Sequence, residues 1–125
     1  MINSVLLLIG SLLLIIWGTA HLVFTKGVVK GFKLKSVDDR RVLTMEWIME
    51  GLTLCFMGIL VAVVTGIVGR QDPGSVIIYF ASAAMLVVMA IVSLFTGARV
   101  AFLPYRLCPP IFLTAALLFI LGALL

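Results

Sequence analysis

RRVLTMEWIMEGLTLCFMGILVAVVTGIV, residues 40–68, is a hydrophobic run long enough to cross a bilayer, yet its first turns carry two carboxylates, Glu46 and Glu50. An acid inside a spanning segment costs roughly 2.5–3.5 kcal/mol on insertion scales and survives where it faces protein or water. Residues at i and i+4 share a helix face, so the two acids point toward the same neighbour. The small residues Gly51, Gly58, Ala62 and Gly66 recur along the same stretch and invite close approach of another helix. This run therefore predicts a membrane helix that packs on protein and brings its acids to a site.

The rest of the chain agrees with a membrane origin. Of 125 residues, 64% are hydrophobic and 11% charged, whereas a soluble domain carries about 25% charged residues. The expected fold is all-α, a four-helix transmembrane bundle forming one domain. Its spans are about 2–24, 42–68, 75–97 and 104–125, with a basic amphipathic connection at 26–41. The first apolar run lacks a basic leader and is longer than a signal core, so it reads as a retained span. Ser36 followed by Asp38 and Asp39 has the form of a capped helix start for the second helix. In residues 26–35 the glycines Gly27 and Gly31 argue against a long helix. Val28, Val29 and Phe32 between lysines suit either a piece lying on headgroups or a solvated basic loop. Residues 69–74 read as a tight turn. The last apolar stretch is short, and two starts are open: a helix from Pro104 bending at Pro109, or one with Pro110 in its first turn.

The net charge of +4 speaks to topology rather than to nucleic acid. Lys26, Lys30, Lys33, Lys35, Arg40 and Arg41 lie in the first connection, Arg99 and Arg106 in the third, and only Arg70 in the second. The positive-inside rule places the first and third connections in the cytoplasm. Both termini and the Arg70 turn then lie outside the cell (plasma) membrane.

At about 1.5 Å per residue, His21 sits roughly 6 Å inside the first span and Glu46 roughly 8 Å inside the second, with Glu50 a turn deeper. Ser93 and Thr96 share that layer on the third span, and Arg99 stands at its mouth. No comparable layer is legible in the outer half. Three readings of His21, Glu46, Glu50 and Arg99 follow. They fasten the helices through interhelical polar contacts worth about 0.6–2 kcal/mol. Or they hold the polar head of a small amphipathic ligand, a quinone or lipid, between walls that include Trp17, Met45, Met49, Phe95 and Tyr105. Or His21 with two carboxylates binds a metal, a set without a sharp spacing motif and absent from the preferred reading. Cys55 and Cys108 read as free thiols at different depths, with no Cys–His pair at one level. Haem between two histidines is excluded because His21 stands alone, and no other cofactor is named by a motif.

Gly18-x-x-His21-x-x-Phe24, the connection from Lys26-Gly27 to Gly31-Phe32, and Glu50-Gly51-Leu52 with Gly58 resemble the DoxX-like group of small four-helix membrane proteins. The long basic connection and Cys108-Pro109-Pro110 lie outside the resemblance. It implies an accessory subunit of a quinone-linked membrane oxidoreductase, or an assembly factor for another membrane protein, and carries over no catalytic residue. The expected function is ligand binding by an accessory membrane protein rather than an enzyme. The alternatives are a proton-coupled transporter acting as a homodimer, and an assembly factor on a larger membrane partner.

Overall fold

The computed structural model describes residues 1–125, and four of its helices are long and apolar enough to cross a bilayer. In chain order the elements are α1 (Ile2–Val23), α2 (Thr25–Gly31), α3 (Val37–Val63), α4 (Pro73–Phe95) and α5 (Leu103–Leu124). Val64–Val68 continues α3 as a π-helical turn, and Gly97–Arg99 is a short 3₁₀ turn. Large side chains such as Ile16, Phe56, Ile77 and Leu117 stand on the outer surface. That surface is stable against lipid and not against water, so the chain is an integral membrane protein.

The ends of α3 and α4 follow from local chemistry. Ser36 Oγ accepts from the Asp39 amide at 3.4 Å and opens α3, as its sequence signature predicts. Asp72 Oδ1 accepts from the Gly74 amide at 2.8 Å and opens α4, with Pro73 in the first turn. Gly69 reverses the chain between them at φ 105°, a left-handed conformation that favours glycine. For α5 the structure selects the earlier start. Pro104 lies in the first turn, and both Pro109 and Pro110 lie inside the helix. Neither ring supplies an N–H, so the carbonyls of Tyr105 and Arg106 lose their i+4 donors.

Helix α1 is the axis of the packing: α3 lies against one side of it, α5 against another, and α4 packs on α5. Glycines set these distances. A Cβ on Gly18 would stand 2.6 Å from the Gly51 carbonyl oxygen, and one on Gly58 2.6 Å from that of Ser11. On the α5 side, a Cβ on Gly122 would meet Leu7 Cγ at 2.6 Å and the Asn3 carbonyl oxygen at 2.9 Å. With lipid as apolar as leucine, such close backbone approach and its dispersion contacts are what hold helices together. The core between them is built from Leu7, Leu14, Leu54, Leu86, Phe112 and Phe119, among others.

Helices α3 and α4 scarcely touch, although consecutive. Next to their turn, Thr65 Oγ1 and the Tyr79 hydroxyl are 2.8 Å apart and join the two. Further along, a groove separates them. The Arg70 half of the bundle is not purely apolar. It buries Asn3, Ser75 and Tyr79, and Arg70 donates to the Gly122 carbonyl at 3.3 Å. It holds no layer of titratable side chains like that at the other end.

In the basic connection α2 is a single short helix whose lysines face outward. Val28 and Val29 are buried, and α2 packs on α3. Its apolar side therefore meets protein, where the sequence reading offered headgroups or solvent.

Candidate functional site

The close approach of α1 and α3 at Gly18 and Gly51 creates the site. A side chain on Gly51 would collide with His21 Cβ at 2.9 Å, so the missing Cβ is what seats the imidazole against α3. His21 is 2% exposed, and its Nε2 stands 3.5 Å from Glu50 Oε2, the only ion-pair contact in the chain. The other ring nitrogen, Nδ1, lies 2.8 Å from the Trp17 carbonyl oxygen one turn earlier. A carbonyl only accepts, so Nδ1 carries the hydrogen. In the neutral ring Nε2 then presents its lone pair toward Glu50.

Aromatic rings fix the imidazole in place. Trp47 of α3 stacks on it with centroids 4.2 Å apart and planes at 26°, while Trp17 meets it edge-on at 5.5 Å. The series continues from Trp47 to Tyr105 at 5.1 Å and from Tyr105 to Phe32 at 5.7 Å. Gly97 leaves room for the Tyr105 ring, which would lie 2.7 Å from a Cβ there. These rings close the end of the bundle above His21.

The third partner comes from α5. A ring nitrogen of His21, a carboxylate oxygen of Glu50 and Cys108 Sγ lie within 4.8 Å of one another. Cys108 is buried and leans on the Pro104 carbonyl at 3.4 Å. A Cys–His pair at one level therefore exists, where the sequence reading expected none. Cys55, the other thiol, belongs to the α1–α3 contact, 3.7 Å from the Ile15 carbonyl.

The two acids part company. Glu50 is half-buried and faces His21, whereas Glu46 is exposed on the flank of α3. Both line the α3–α4 groove, a space of about 550 Å³. Its walls are Met49, Thr53, Met85, Val88, Met89 and Val92. Glu46, Glu50, Ser93, Thr96, Tyr105 and Cys108 gather at the basic end. Arg99 does not reach in: it is exposed, and its guanidinium sits 5.6 Å from the Phe95 ring centre. Trp17 lines a second hollow of about 390 Å³ on the opposite side, with His21, Phe24, Val28, Trp47 and Phe102. Met45 and Phe95, expected as walls, face outward and line neither space.

Of the residues singled out in the sequence, His21, Glu50, Trp17 and Tyr105 are thus brought together, while Glu46 lies beside the groove and Arg99 outside it. Trp47 and Cys108 complete the cluster without having been expected there. Chemically the arrangement offers an imidazole nitrogen, a carboxylate and a thiol at one level, with a groove leading to two of them. Comparison with protein-family models, curated proteins and solved structures finds no match to this chain.

Proposed function

We propose that this protein takes a small amphipathic molecule, a quinone or a lipid, from the bilayer into the α3–α4 groove and holds its polar head beside Glu50 and Tyr105. The observation that carries the reading is the gap between two consecutive helices. They are joined near their turn by Thr65 and Tyr79, and the space between them runs from Met and Val walls to Glu46, Glu50, Ser93 and Thr96. At about 550 Å³ it is of the size that small-molecule sites occupy. A molecule arriving from lipid gains little from apolar walls, because its tail leaves an equally apolar medium. The selective gain lies at the polar end, where hydrogen bonds form away from water and are correspondingly strong. The accessory role follows from the resemblance to DoxX-like proteins and belongs to the proposal.

The test is mass spectrometry of the small molecules that leave with the purified chain, compared with two variants. Met89→Trp fills the groove from α4, and Glu50→Ala removes the head contact. Both should lose a molecule the parent retains while their helical content stays the same. An unchanged complement in Met89→Trp ends the groove reading. Loss of helical structure in Glu50→Ala alone assigns the His21–Glu50 pair to fastening α1 on α3.

A further inference from the structure

We infer that His21, Glu50 and Cys108 form a binding site for a single transition-metal ion, of which Zn(II) suits the donors best. One ligand comes from each of α1, α3 and α5, and the site needs no occupant in the groove.

The geometry of the imidazole carries the inference. Its Nδ1 hydrogen is committed to the Trp17 carbonyl at 2.8 Å, the outer support that metal-bound histidines characteristically have. Its Nε2 is buried, has no hydrogen-bond partner, and is aimed at a carboxylate oxygen 3.5 Å away. Two acceptor atoms so placed repel each other unless something positive lies between them. The separation of 3.5 Å is close to one edge of a tetrahedron around zinc, about 3.3–3.4 Å for bonds of about 2.0–2.1 Å.

Cys108 selects the metal class. A thiolate beside an imidazole and a carboxylate favours zinc and its softer neighbours over magnesium or calcium, which want oxygen donors. The three donor atoms lie within 4.8 Å of one another, so closing on an ion needs a shift of about 1 Å by the Cys108 side chain. That shift gives up the weak contact to the Pro104 carbonyl. Three protein ligands leave a fourth position. Glu50 and Cys108, unlike His21, line the α3–α4 groove, so that position faces it.

Co(II) tests the site on the full chain, purified in detergent and stripped with a chelator. One equivalent should bind with the intense thiolate-to-cobalt absorption and the visible bands of a tetrahedral ion, and Zn(II) should displace it. Cys108→Ser should abolish the thiolate band, and Glu50→Gln should weaken Zn(II) binding at least about 100-fold, beyond what loss of outer support costs. Cys55→Ser should change neither. A parent protein that shows no thiolate–cobalt absorption, or one in which the band survives Cys108→Ser, overturns the assignment. The spectrum of the unsubstituted chain decides the matter even where a variant fails to fold.

Discussion

At the scale of single residues, the absence of a Cβ does more for this site than any charged group. Gly18 and Gly51 face each other so closely that a methyl on either meets backbone oxygen at 2.6 or 2.8 Å, whereas one on Gly66 meets nothing within 4 Å. Backbone cannot yield as a side-chain tip can, so Gly18→Ala and Gly51→Ala should each cost about 1–3 kcal/mol, as overpacking does. Gly66→Ala should be neutral. Unfolding of the three variants in detergent, followed by circular dichroism, checks the ranking. Gly51→Ala should also push His21 off Glu50, so its Zn(II) affinity should fall with its stability. The sequence made Glu50 and His21 visible because charge in an apolar run is conspicuous. Trp47 was legible too, by a subtler sign. With Gly51 marking the contact stripe, Trp47 lies about 40° round the helix, Glu50 about 100° and Glu46 about 140° on the same side. Trp47 is thus on the stripe, Glu50 at its edge and Glu46 beyond it, as their burial shows. Cys108 was hidden because its depth depends on where a proline-rich helix begins, and propensity does not decide that. Arg99 was placed inward on reach alone, and the Phe95 ring offered it an easier partner.

At the scale of elements, helix starts with a side-chain cap were readable and packing partners were not. Ser36 and Asp72 hold the first amides of α3 and α4, and both starts fall within two residues of the sequence reading. The start of α5 has no side-chain cap, and its two interior prolines left two possibilities open. Nor did hydrophobicity say that α2 would bury Val28 and Val29 on α3, since lipid and protein are equally apolar surroundings. The same limit concealed the α3–α4 gap, which depends on how far two helices diverge beyond their turn. The hydrogen bond between Thr65 and Tyr79 is the joint at the closed end of that gap. A double-mutant cycle with Thr65→Val and Tyr79→Phe should give a coupling of about 0.6 kcal/mol and no more than about 1.7, the range for polar contacts between membrane helices. With the joint gone, α4 is free to move on α3, so Tyr79→Phe should also weaken retention of any groove occupant without changing a residue that lines it. A coupling of zero would mean that α5 alone holds α4 in place.

At the scale of the whole molecule, the four-span count and the all-α class were fixed by length and composition, because no other arrangement satisfies every backbone group in lipid. Orientation rests on a different quantity, the distribution of positive charge. Lys26, Lys30, Lys33, Lys35, Arg40, Arg41, Arg99 and Arg106 lie at one end of the bundle and Arg70 alone at the other. Insertion responds to such a bias in short connections, and acidic residues count little. The basic end should therefore be cytoplasmic, and the groove, whose polar groups gather at that end, should fill from the inner leaflet. A reporter active only in the cytoplasm should be silent when fused after Leu125, and one active only outside should work there. Replacing Lys26, Lys30, Lys33 and Lys35 with Gln should not invert the chain, since Arg40, Arg41, Arg99 and Arg106 still outweigh Arg70. Adding several lysines to residues 69–72 in that background should produce a mixture of orientations, visible as partial activity of both reporters. A cytoplasmic reporter fully active after Leu125 in the unaltered chain would invert the molecule and move the mouth of the groove to the outer leaflet. The His21, Glu50 and Cys108 cluster would keep its geometry in either orientation.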